Sequence, residues 1–189
     1  MIARDVMDSP GAYRLRVADL RLLEESGAFE AFAKVELIEG VIVALQSQYS
    51  PHSRAQTLLL KALSIACDKI DNRVQPRVEL PVAVAADSEP QPDIVVAYVL
   101  PDNGAIAPEA VALIIEISDT TSKFDLGTKA GIYASVGIAE YWVADVSTRV
   151  IHQMWAPEGE AYAQRREVAF GEQLEAMTID GLAVKTAGM

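Results

Sequence analysis

Residues Val111 to Lys129 read VALIIEISDTTSKFDLGTK, an aliphatic run broken at its centre by one carboxylate, Glu116. Apolar side chains fall at both parities of VALIIEIS, which predicts a central strand covered on both faces. An isolated ionised carboxylate is costly in such a layer, so Glu116 demands a cation, hydrogen-bond donors or a metal as partner. The polar loop SDTTSK follows, and then a helix from about Asp125 to Val136, stopped by Gly137.

Working outward, the elements alternate. Val17 to Phe32, after the strand-like AYRLRV, reads as a helix carrying Leu20, Leu22, Leu23 and Phe32. KVELIEGVIVAL reads as a hairpin that turns at Glu39 and Gly40. Ser50 and Pro51 open a helix that places His52, Ala55, Leu59, Leu63 and Ala66 on one face. Arg77 to Ala85 alternates like a half-buried strand, and SEPQP turns into the strand DIVVAYV. Downstream, EYWVAD, RVIHQMW and EAYAQRREVAF are further strands. The order predicts an α/β (α+β) domain over residues 1–189, with a mixed, twisted sheet flanked by helices and additional C-terminal strands.

Composition narrows the class. A chain of 189 residues, 51% hydrophobic, is globular and fits one sizeable core. No run approaches ~18 consecutive apolar residues, and MIARDVMDSPG lacks the blocks of a signal peptide, so a soluble cytoplasmic protein without a membrane segment is expected. The single cysteine, Cys67, excludes an internal disulfide and a thiolate zinc cluster, and its apolar surroundings read as core. A net charge of -11 argues against a general nucleic-acid coat but leaves room for a local basic groove.

Two carboxylates can converge on the sheet. Period two groups Asp93 with Val95 and Ala97, and Glu116 with Ile114 and Ser118. If those strands pair, the arrangement suits a hard divalent cation such as magnesium. Metal-dependent phosphodiester chemistry also calls for a nearby lysine. The strand offers Ser118 instead, whereas Lys129 borders the apolar helix stripe of Leu126, Ala130 and Tyr133. Lys129 can equally be read as a solvated partner of Asp125. Tyr133, Tyr141 and Trp142 read as core aromatics, and His152 as a surface strand residue.

The ordered set resembles the Uma two family of restriction-endonuclease-like proteins, within the PD-(D/E)xK nuclease superfamily. It comprises ELIEG, a helix opening with His after Pro, PD before an aliphatic strand, EIS, a D-x-x-x-K-x-x-x-Y helix and GIAEYWVAD, and it spans roughly residues 15 to 185. The resemblance implies a restriction-endonuclease-like fold, with Asp93, Glu116 and the backbone carbonyl of Ile117 as ligands to magnesium or manganese. It also implies Lys129 as a catalytic lysine displaced to the helix, Glu36 as support for the metal, and His52 as a phosphate contact or orienting group. Glu39 stands where the family has aspartate, and Ser118 agrees with the family's E-x-S while departing from the superfamily's E-x-K.

A metal-dependent DNA endonuclease, working as a homodimer because duplex cleavage needs two sites, is therefore expected. A catalytically silent nuclease fold serving as a binding or assembly module is the alternative. A glycoside hydrolase using paired carboxylates is a third reading, against which the nearby lysine weighs.

Overall fold

A computed structural model describes residues 11, 13–45, 50–70 and 73–189, which form two compact units. The described part of the first unit comprises residue 11, residues 13–45 and residues 85–90. Its helix α1 (Val17–Glu25) begins where the Asp19 carboxylate accepts the Arg16 N–H at 2.7 Å. The helix ends well before Phe32, because Ser26 and Gly27 close it and Gly27 adopts a φ of 77° that turns the chain out of the helical path. Residues 13–16, expected as strand, form none; the Leu15 N–H bonds the Gly40 carbonyl instead.

Strands β1 (Lys34–Ile38) and β2 (Val41–Leu45) make the expected hairpin. Its turn residues Glu39 and Gly40 both take positive φ, 49° and 75°, the geometry that matches strand twist in a two-residue loop. A side chain at Gly40 would collide with Arg14.

The second unit carries a six-stranded sheet in the order β3-β4-β5-β6-β7-β8. Its strands are β3 (Gln75–Val78), β4 (Ile94–Ala97), β5 (Val111–Ser118), β6 (Glu140–Asp145), β7 (Val150–Glu158) and β8 (Ala161–Ala169). Only β5 and β6 pair in parallel, as a connection through a helix requires. That connection begins with a single turn α2 (Ser122–Phe124), a π turn (Asp125–Lys129) and α3 (Ala130–Ser135). The long helix Ser50–Asp68, here αL for its length, and a hairpin of β9 (Gln173–Glu175) and β10 (Ala183–Lys185) complete the unit.

Two apolar layers explain why β5 is buried along its whole length. On one face Ala55, Leu59 and Leu63 of αL pack with Ile94, Leu113, Ile115 and Trp142. On the other, Ala130 and Tyr133 pack with Val95, Ile114, Tyr141 and Val143. Cys67 is buried in the first layer, as read from its setting.

The strand expected over Arg77 to Ala85 stops at Val78. Glu79 has a φ of 51° and Pro81 has no N–H for a ladder, so beyond them the stretch makes only isolated bridges, Val82 to Ile106 and Ala85 to Ser88. Among the described residues no helix is long and apolar enough to cross a membrane.

Candidate active site

The antiparallel register of β4 and β5 pairs Ile94 with Ile115, and one step further sets Asp93 opposite Glu116. Cross-strand partners share a face, so the two carboxylates are neighbours, each 2% exposed. Asp93 Oδ2 accepts the Ile117 N–H at 2.7 Å and lies 3.1 Å from His52 Nε2. Gln56, one turn beyond His52 on αL, donates to the Asp93 carbonyl at 3.1 Å, as does the Glu79 N–H at 3.2 Å. Both the side chain and the backbone of Asp93 are thereby fixed.

His52 is buried, and its Nδ1 has no hydrogen-bond partner among the described residues. With the proton on Nε2 it donates to Asp93 and keeps Nδ1 as an acceptor.

Glu116 has found protein partners. Lys129 Nζ donates to its Oε1 at 2.9 Å, and the Tyr133 hydroxyl donates to the same oxygen at 3.0 Å. Lys129 is not the solvated lysine of the alternative reading, since it and Glu116 are each only 3% exposed by side chain. Residues 129 and 133 lie one helical turn apart, so both donors descend on the sheet from the same side.

The π turn sets this register. The Ala130 N–H bonds the carbonyl of Asp125, five residues back, and the Tyr141 hydroxyl donates to that carbonyl at 3.1 Å. The Asp125 carboxylate is buried and accepts Thr121 Oγ1 at 2.6 Å. Burial raises its pKa, against the opposing effects of Lys129 and of hydrogen bonds from Thr121 and Ser118. Burial likewise holds the Tyr141 phenol well above its usual value, with Glu116 and Asp125 adding to the effect.

Among the described residues no three His, Cys, Asp or Glu side chains gather as a metal cage. The donors nevertheless fit a magnesium-like ion, which uses one or two carboxylates and retains several waters. Asp93 and Glu116 supply two hard oxygen donor groups side by side. Ile117 turns its side chain into the layer below αL, so only its backbone is available as a ligand.

The structure thus brings Asp93, Glu116, Lys129, His52 and the Ile117 backbone together. Glu36 belongs to the first unit, where it sits fully buried in β1 on the face of Lys34. Sequence reasoning passed over Tyr133 and Gln56 as site residues. Tyr133 carried a readable signal, its position four residues after Lys129; Gln56 carried its spacing of four from His52.

Comparison with curated proteins finds no match. Among solved structures, the fold is similar to the crystal structure of "a putative nuclease belonging to DUF820" from Anabaena variabilis, at 17% identity and a TM-score of 0.56, covering 75% of this chain and 80% of that one. The likeness is one of fold. A family model, Uma2, described as "Putative restriction endonuclease", matches residues 18–187, and the chain belongs to that family.

Proposed function

We propose that the protein is a metal-dependent endonuclease that hydrolyses phosphodiester bonds in DNA. The observation that carries this reading is the buried Glu116–Lys129 pair beside Asp93. A buried ion pair is seldom more stabilising than packed apolar side chains, so its retention on a central strand points to chemistry. Family membership supports the same reaction class.

In this reading Asp93, Glu116 and the Ile117 carbonyl hold magnesium or manganese. Such an ion, when bound, lowers the pKa of a coordinated water and offsets charge that develops on the phosphoryl oxygens. Lys129, held against Glu116 by its own hydrogen bond, orients the attacking water and adds a positive charge near the reacting phosphate. Tyr133 fixes the Glu116 carboxylate by donating to Oε1. His52 orients Asp93, and Glu36 has a supporting role on the family motif alone. A symmetric dimer would present one such site to each strand.

The net charge of -11 favours, as a second reading, a silent nuclease fold that binds a partner other than DNA. Manganese titration by calorimetry, paired with cleavage of supercoiled DNA, separates the two. Asp93→Asn is the apt variant, because its side-chain carbonyl still accepts the Ile117 N–H while the charge is gone. We expect it to lose both stoichiometric manganese binding and cleavage with its fold intact. Undiminished metal binding by this variant would refute the ligand assignment, and a wild-type protein that binds manganese without cutting would support the silent reading.

A further inference from the structure

The two edges of the six-stranded sheet are built differently. At one, β3 has four residues, contains Pro76, which has no N–H to offer a further strand, and stops where Glu79 turns to a φ of 51°. At the other, β8 runs for nine residues without a proline, and residues 163–167 are all exposed. One edge is guarded and the other is open.

The Phe170 N–H bonds the Arg149 carbonyl at 2.9 Å, one step beyond the Val150–Ala169 pair, so in this half of β8 the bonds to β7 fall on even-numbered residues. Arg165, Glu167 and Ala169 therefore direct their N–H and C=O groups away from the sheet. Arg165 stands opposite Met154 and Glu167 opposite His152, so both side chains lie on one face. His152 Nδ1 is 3.3 Å from Glu167 Oε1, yet the Glu167 side chain is still 69% exposed. Arg165 is exposed and forms no ion pair among the described residues.

Charges on an edge strand ordinarily keep it from pairing with other chains. On β8 they admit one arrangement. In a two-fold antiparallel pairing of β8 with a second β8, centring on Arg165 or on Glu167 sets that residue opposite its own copy, like charge against like. Centring on Arg166 sets Arg165 of one protomer opposite Glu167 of its partner, and the symmetry repeats the pair. These are the residues whose backbone groups point outward, so the same register also joins N–H to C=O across the seam. Arg166 would meet its own copy, but its guanidinium is turned back, Nε donating to Gln153 Oε1 at 2.6 Å and Nη2 to the Glu175 carbonyl at 3.0 Å.

We propose that the open edge of β8 is an interface between two copies of this chain, paired antiparallel about Arg166 so that one sheet continues into the other. Main-chain hydrogen bonds supply the attraction, and the Arg165–Glu167 pairs select the register. The interface gives the dimer of the nuclease reading its contact surface but stands on the strand edge alone, so an inactive protein would leave it intact.

The test is sedimentation velocity across a wide concentration series for wild type, Arg165→Glu, Glu167→Arg and the double exchange Arg165→Glu/Glu167→Arg. All are exposed positions, and unchanged melting temperatures show that the fold is kept. Wild type should dimerise as concentration rises. Each single reversal places like charges opposite each other twice and should weaken the dimer about tenfold or more, while the double exchange should restore it. Cysteine variants check the register independently, since the native Cys67 is the sole cysteine and is buried. Under mild oxidation Arg166→Cys, opposite its own copy, should form a covalent dimer faster than Arg165→Cys or Glu167→Cys.

A wild type that stays monomeric throughout overturns the proposal. So does a dimer indifferent to both single reversals, which would place the contact on another surface. Failure of the double exchange to restore what the singles lose, or faster crosslinking through position 165 or 167 than through 166, would refute the pairing about Arg166.

Discussion

The Glu116 carboxylate is held by Lys129 and Tyr133 under two apolar layers, and this one residue sets the energetics of the site. Removing one member of a buried ion pair typically costs about 3–5 kcal/mol, since the remaining charge is left without its counterpart. Lys129→Ala should therefore destabilise the metal-free protein, and Glu116→Gln added to it should restore much of the loss. A lysine acting beside the attacked phosphate should in addition lose on the order of 10² to 10³ in rate when replaced by alanine. Exposed Lys123 is the control and should tolerate alanine. Cleavage of supercoiled DNA at saturating manganese is the measurement; equal rates for Lys123→Ala and Lys129→Ala would remove Lys129 from the chemistry. Glu116 was legible because a charge interrupts an apolar strand, Asp93 because period two aligns it beside that strand, and Lys129 because it borders the apolar stripe of the next helix, whereas His52 became a candidate through the family resemblance. Tyr133 was passed over because an aromatic on an apolar stripe reads as core, and its spacing of four from Lys129 was the one sign that its hydroxyl is used.

At the scale of elements, the π turn between Asp125 and Lys129 decides where Lys129 points. Moving one residue along a regular helix rotates a side chain by about 100°, so the additional residue in the wide turn sets which way the face shared by Lys129 and Tyr133 is directed relative to the start of the connection. Period 3.6 found this helix in the sequence but cannot show a single widened turn. The same limits explain the other departures. Gly27 ended the first helix early, Glu79 broke the third strand, and β9 and β10, of three residues each, are too short to alternate. Strands β5 and β6 were read to their ends because burial on both faces puts apolar side chains at both parities of each. Gly127 offers a direct test of the π turn: a Cβ there would meet open space, and the residue has no positive φ. Gly127→Ala should raise stability by about 0.4–1 kcal/mol in urea unfolding and leave cleavage unchanged. Destabilisation would show that the widened turn itself requires glycine.

At the scale of the whole molecule, 27 acidic residues make the response to acid the most general property to test. Two buried carboxylates of the second unit act in opposite directions. Asp145 ends β6 and accepts Ser122 Oγ at 2.6 Å, Ser147 Oγ at 2.7 Å and the Ser147 and Thr148 N–H groups at 2.9 and 3.0 Å. Burial alone would raise its pKa, but these bonds outweigh burial and bring it to about 2. Its unfolded value is about 3.9, so the carboxylate contributes on the order of 2 kcal/mol above that pH, a contribution lost as pH falls toward 2. Asp125 is raised by burial, so its contribution is present below the unfolded value and lost as pH rises through the folded one. Urea unfolding at pH 7, 4 and 2.5 separates the two. Asp145→Asn should lower stability at pH 7 and flatten the decline from pH 4 to 2.5. Asp125→Asn, which keeps an acceptor for Thr121, should instead raise stability at pH 7 and converge on wild type in acid. Parallel stability curves for Asp145→Asn and wild type across this range would show that the hydroxyl and amide bonds to Asp145 do not hold the end of β6 in the way the geometry requires.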